Sequence, residues 1–331
     1  MKLKVYSFIS AYLFSFATLS SEVITRAAID IGSGDTKMTV ATVDTETNQI
    51  AKILYQNYIT VELRKDLGAS PDKSLSPKIE QELINALRKM QENAEQYNPV
   101  EWVCVGTSVF RTAKNGAEFL AKIKAATDIE VRIVPQAVEG EIGFASAIAA
   151  SGKNSESIIA WDSGSGSFQL TTLLDGQLKM YGAEFAYVPA LEALFAIRNR
   201  PFSADVSANP VSLSEALLLI GAIRVKLPPP PSWIIENNKH IITIGGKPSI
   251  FSVCKIATRL SSFNKADVMG AIRRLCGSSD EQFKNYAKPK EVVVALILLY
   301  AVMDHCGFEQ VNYYPTNGGS EGLLIIPSFW N

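Results

Sequence analysis

Asp30 closes a short apolar run, "AAID", and a glycine turn, Gly32-Ser33-Gly34, comes directly after it. A carboxylate at a strand end can hold a hydrated Mg²⁺, and glycines let backbone N–H groups come close to an anion. Taken singly, the stretch reads as a β-hairpin with a tight turn. A second copy changes the balance. Residues 28–39, "AIDIGSGDTKMT", and residues 160–171, "AWDSGSGSFQLT", align at a constant offset of 132 and share Ala28/Ala160, Asp30/Asp162, Gly32/Gly164, Ser33/Ser165, Gly34/Gly166 and Thr39/Thr171. Two such turns can face one another across a cleft. Asp30 and Asp162 are then candidate metal ligands. Gly32, Ser33 and Gly34, with Ser163, Gly164, Ser165, Gly166 and Ser167, are candidate phosphate binders. A dinucleotide loop would need a third glycine and a helix after it, whereas Lys37 and a strand pattern stand here, and the Gly-Lys-Ser/Thr of a Walker loop is missing.

Two further stretches carry chemistry. In "GTSVFRTAKNG", residues 106–116, Thr107 and Ser108 come after a strand and can donate hydrogen bonds to a phosphate. Arg111 can add a bidentate contact that a lysine cannot match, and Asn115 can end the turn or touch substrate. The same residues also read as a strand-to-helix cap with a surface arginine. In "VPQAVEGEIGFASA", residues 134–147, Glu139 and Glu141 begin a helix. Two positions apart on a helix, they point to different sides, so only one can easily face a cleft. An acidic first turn also favours the helix dipole without any catalytic role.

In this order the motifs resemble the actin, Hsp70 and sugar-kinase superfamily, and more specifically the exopolyphosphatase / guanosine pentaphosphate phosphohydrolase (Ppx/GppA) family. The resemblance runs from residue 27 to about residue 325, through the Thr-Ser-x-x-Arg-x-Ala-x-Asn signature, the Glu-Gly pair at 139–140, the "ITIGGKPSI" turn at 242–250 and "GGSEGLLI" at 318–325. It implies an α/β fold of two actin-like (ribonuclease H-like) domains with a cleft between them. It also implies Mg²⁺ as cofactor, Glu139 as the group that activates water, and polyphosphate or guanosine pentaphosphate as substrate. A catalytically weak polyphosphate- or nucleotide-binding protein on the same fold is the alternative. A kinase of the superfamily shares the two loops but not the "RTAKN" and Glu-Gly stretches. The chain departs from the family at Ser165, where a glycine is usual, at Asp35, at Ser320, where an arginine is usual, and at Glu184, near which an arginine is common. The lost positive charge at Glu184 should weaken binding of long polyphosphate.

The elements that must position these residues alternate between strand and helix, as α/β layers require. "DTKMTVATVD", "EWVCVG", "VRIV", "SIIAWD", "SFQLTTLLDG" and "HIITIGG" read as strands. Residues 76–97 read as an amphipathic helix through Ile79, Leu83, Ile84, Leu87 and Met90, and Ser212 with Glu215 fits a capping box. With 331 residues, 47% hydrophobic, the chain is long enough for two domains, and the boundary is expected near residue 180. That assigns both loops to a domain of residues 22–180, with 181–331 as the second domain. A net charge of −1 speaks against nucleic acid as partner. The apolar run at 292–303 is too short to cross a bilayer, so no stable membrane span is expected, and a homodimer is possible. Lys2 and Lys4 ahead of an uncharged stretch, with Ser20 and Ser21 after it, form a signal-peptide pattern over residues 1–21, which predicts export, with a cytoplasmic location otherwise. Four scattered cysteines and two histidines give no zinc-ligand spacing.

Overall fold

The computed structural model describes residues 22–203 and 206–330. The expected signal peptide lies outside them. Two sheets carry the chain. The first is built from β1 (Val23–Ile31), β2 (Asp35–Asp44), β3 (Gln49–Thr60), β4 (Glu101–Gly106) and β5 (Val131–Ile133), in the order β3-β2-β1-β4-β5. The second is built from β6 (Ile158–Ser163), β7 (Phe168–Leu174), β8 (Gln177–Ala183), β9 (His240–Gly245), β10 (Ser262–Asn264) and β11 (Gln310–Pro315), in the order β10-β11-β9-β6-β7-β8. In each sheet an antiparallel three-strand meander is extended by two parallel strands beside its first strand, and the second sheet ends in β10, antiparallel to β11. The sequence repeat is therefore a repeat of topology, and the expected two-part α/β plan is present.

The strand order corrects the expected boundary. A division near residue 180 would put β6, β7 and β8 with the first sheet. They pair instead with β9, so the change of sheet falls between Ile133 and Ile158. The two glycine turns consequently belong to different sheets rather than to one domain. The Gln136–Ser151 helix bridges the change, and the last described residues return to the first sheet. There Leu323, Leu324, Ile326 and Phe329 bury against Ala28, Ala41, Val43 and Ile142.

The helices obey local rules. Pro77–Glu95 starts at Ser76, whose side chain accepts from the Ile79 N–H, with Pro77 where a missing donor does no harm. It buries the expected stripe of Ile79, Leu83, Ile84, Leu87 and Met90. The capping box at Ser212 and Glu215 forms. Val292–Cys306 is buried nearly all round and is a core helix of the second sheet. Among the described residues no helix is long and apolar enough to cross a membrane. All four cysteines are free thiols.

Candidate active site

The two turns repeat in geometry as well as in sequence. The Gly32 N–H donates to the Asp35 carbonyl at 3.1 Å, and the Gly164 N–H donates to the Ser167 carbonyl at 2.9 Å. Each turn is tied from outside, Ser33 O accepting from the Arg64 N–H and Ser165 O from the Val188 N–H, both at 2.8 Å. The turns meet where Gly34 lies against the Ser165 side chain, so that a Cβ there would run into the Ser165 hydroxyl. Glycine at 34 is thus a matter of approach between the halves.

A small polar cavity, about 60 Å³, lies on one side of this meeting point. It is lined by Asp30, Gly32, Ser33, Thr107, Ser108, Glu139, Asp162, Gly164, Ser165, Gly166 and Ser167, together with Lys37, Gln169 and Gly319. The topology explains the convergence. Strands β1 and β4 are parallel neighbours, so Asp30 and Thr107 leave the same edge of the sheet, and the Thr107 hydroxyl donates to Ile31 O at 3.2 Å. Glu139 is delivered by the first turn of the bridging helix. Of the residues expected to bind phosphate, Gly34 and Ser163 face a second space across the turns, with Gly245, Gly246, Tyr187 and Lys288. Arg111 lines neither space.

The floor of the cavity is charged. Burial raises the carboxyls of Asp30 and Asp162, against the pull of Lys37 and of the Gly319 and Ser163 N–H groups respectively. Burial alone would lower Lys37, but Asp30, Asp162 and Asp35 outweigh it and hold the ammonium above its ordinary value. One oxygen of Asp30, Oδ1, is buried without a hydrogen-bond partner. Two carboxylates, one with an unpartnered oxygen, in a polar space with room for water suit Mg²⁺, which keeps several waters and takes only one or two carboxylates. Among the described residues no cluster of three or more His, Cys, Asp or Glu forms, so a cage supplied by the protein alone is not what the site offers. Asp30 and Asp162 would hold the ion, with water and substrate oxygens completing its shell.

Glu139 sits at the cavity wall. Burial pushes its carboxyl up to about 7, opposed by Arg111 and assisted by Asp30 and Asp162. Arg111 is ion-paired to Glu139 through Nη1, which also donates to Val134 O at 2.5 Å. Its Nη2 lies 3.7 Å from Glu184 Oε1 and has no hydrogen-bond partner. Ser108 Oγ donates to Glu184 Oε2 at 3.2 Å. Gln169 Nε2 bridges Glu139 Oε2 at 3.5 Å and Ser167 Oγ at 3.3 Å, joining Glu139 to the second turn.

Sequence reasoning missed Lys37 and Gln169. Both lie on the strand after a turn, and alternation from the turn would have aimed both inward. Asn115 is structural, since its amide clasps Leu75 through N–H and carbonyl at 2.8 and 2.9 Å. Ser320 is buried, 2.8 Å from the Thr39 hydroxyl. Glu321 accepts from the Asn317 N–H and from Gln56, and so ties the closing segment to β3.

Comparisons with known proteins agree with this geometry. Residues 39–182 match the model of the Ppx/GppA phosphatase family, a segment holding Thr107, Ser108, Arg111, Glu139 and the whole second turn. No curated protein matches the chain. Among solved structures, the Aquifex aeolicus PPX-GPPA enzyme is 15% identical at a TM-score of 0.70, over 92% of this chain and 99% of that one. An exopolyphosphatase from Cytophaga hutchinsonii is 17% identical at a TM-score of 0.71, over 91% and 96%. A nucleoside triphosphate hydrolase structure from Neospora caninum shares the fold more loosely, 10% identical at a TM-score of 0.57, over 92% and 93%. The identities are low enough that these structures speak for the fold, the two-domain actin-like plan, while the matched segment speaks for the family. The paired turns, the Thr-Ser edge and Glu139 gather on one cavity, and residues 39–182, which hold most of these groups, are similar to the Ppx/GppA phosphatase family.

Proposed function

We propose that the protein is a Mg²⁺-dependent phosphohydrolase that releases terminal orthophosphate from inorganic polyphosphate or guanosine pentaphosphate. The observation that carries this is the placement of Glu139, a carboxyl raised to about 7, on the same cavity as both glycine turns. A base poised near neutral pH is suited to take a proton from water. The serines and backbone of the two turns, with Thr107 and Ser108, would bind the terminal phosphates, the last of them on the turns and the one behind it at Ser108. Bound at Asp30 and Asp162, Mg²⁺ would supply charge neutralisation on phosphate oxygens. Glu139 would orient the attacking water in line with the scissile bond and accept its proton as the oxygen bonds to phosphorus. The bridging P–O bond breaks, and the shortened chain departs with the electron pair. Catalysis of this kind is mostly positioning and electrostatic stabilisation.

The test is phosphate release by purified protein from polyphosphate and from guanosine pentaphosphate, supplied separately with Mg²⁺, against Glu139→Ala. Release that is lost in the variant supports the reading and ranks the substrates. Binding without release in the unaltered protein would replace it by a sensor on the same fold, a reading that the engagement of Arg111 with two carboxylates favours.

A further inference from the structure

We propose that Glu184 holds the place of a substrate phosphate on Ser108 and Arg111, and that this carboxylate makes the site select short phosphoanhydrides over long polyphosphate chains. The inference rests on the reading of the cavity as a site for a terminal phosphate.

Glu184 stands directly after β8 and belongs to the second sheet, whereas Ser108 and Arg111 come after β4 of the first. The carboxylate therefore reaches across the cleft. It takes the Ser108 hydroxyl at 3.2 Å and stands 3.7 Å from Arg111 Nη2. Arg111 Nη1 is committed to Glu139 and to Val134 O, while Nη2 is buried with no hydrogen bond of its own. A guanidinium edge beside a hydroxyl accepts carboxylate and phosphate oxygens by the same geometry. Glu184 thus occupies an anion position that the protein has already built.

Its surroundings give that occupancy a consequence. Ser108 is 2% exposed and lines the cavity, but the Glu184 side chain is 52% exposed, so the carboxylate stands on the solvent side of the cavity wall. On this proposal a terminal phosphate seated on the turns sends its preceding phosphates past Ser108, which lines the cavity beside Glu184. There they meet Glu139 and Glu184 against the guanidinium of Arg111. Lys288 lines the spaces on the far side of the turns, and Arg64 stands beside Gly166 of the second turn. Each added phosphate on this wall meets a carboxylate, whereas a short substrate places most of its charge on the turns and on Lys37.

The experiment is calorimetric titration of the full chain, at fixed Mg²⁺ and ionic strength, with tripolyphosphate and with long-chain polyphosphate, comparing the unaltered protein with Glu184→Gln and Glu184→Ala. Removing one like charge within about 4 Å of a bound phosphate should tighten long-chain binding about tenfold in both variants. Tripolyphosphate should gain less than about threefold, because salt screens the more distant charge. The readout is the ratio of the two affinities, which a purely structural role of Glu184 would not move. An unchanged ratio, or weaker binding of both ligands, overturns the proposal. So does failure of either ligand to bind to any of the proteins. Phosphate release measured on the same samples separates the two readings. A shifted ratio without turnover leaves this proposal standing and removes the hydrolase, while turnover with an unchanged length preference does the reverse.

Discussion

Asp30 and Lys37 stand opposite one another across the antiparallel β1–β2 pair, and Asp162 and Gln169 hold the same register across β6–β7. Lys37 and Gln169 are themselves separated by the 132 residues of the repeat. The duplicated architecture therefore delivers two inward side chains at equivalent places and gives them unequal chemistry. One copy supplies a cation that balances three carboxylates. The other supplies an amide that touches Glu139.

The first prediction concerns that cation. Lys37→Met leaves Asp30 and Asp162 without their ammonium, and removing one partner of a buried charge set costs about 3 kcal/mol. The loss should show in urea unfolding at neutral pH without added metal. Millimolar Mg²⁺ should restore a large part of it, since a divalent ion at the two carboxylates replaces the missing charge and stabilises the folded state by mass action. A Mg²⁺ response no greater than that of the unaltered protein would argue against metal binding at this pair.

The second concerns pH. As the proposed base Glu139 would act only when ionised, and its carboxyl is raised to about 7, first by burial. Below that value the folded protein holds the proton on Glu139 and the base is lost, so kcat/KM should climb as pH rises through about 7 and level off above it. Gln169→Glu places a second carboxylate against Glu139, and like charge raises a carboxyl further. The rising limb should then move to higher pH, and KM should rise as well, because the added carboxylate also faces the phosphate cavity. A limb that stays in place would show that the contact between Gln169 and Glu139 is not made in the working enzyme.

The paired turns were legible because a repeat reports itself, and because an Asp ahead of two glycines has few structural uses that need doing twice. Thr107, Ser108 and Glu139 were legible through the family motifs and do face the cavity. Arg111 was legible as a residue but not in its role. Its partners, Glu139 and Glu184, lie 28 and 73 positions away, and only the packing of two sheets brings all three together. The boundary near residue 180 failed for a related reason. Strands β6 to β8 stand between β5 and β9 in sequence without a local preference for either, and the choice of sheet is made by the β6–β9 pairing, which local pattern does not encode. In the closing "GGSEGLLI" stretch Gly319 lines the cavity, while burial and two donors make Glu321 a tether.

The third prediction tests the contact between the halves. A methyl at position 34 would meet the Ser165 hydroxyl at once, with the Ser165 Cβ 3.4 Å away and no positive φ at Gly34 to add backbone strain. Gly34→Ala should therefore act by turning the Ser165 hydroxyl aside and crowding the two turns, a cost at the low end of overpacking, about 1 kcal/mol. On the proposed reading the turns would bind one phosphate jointly, so turnover and orthophosphate affinity should both fall, by about tenfold for each ~1.4 kcal/mol of lost complementarity. Ser165→Gly removes the obstructing side chain together with one hydroxyl that faces the cavity, so alone it should lower orthophosphate affinity modestly and leave stability nearly unchanged, since the loop keeps its hydrogen bond from the Val188 N–H through backbone atoms. Combined with Gly34→Ala it should recover most of the lost stability, a coupling of about 1 kcal/mol between residues in direct contact. Additive losses in the double variant would mean that the added methyl harms the first turn by itself, and that the halves do not meet at this point.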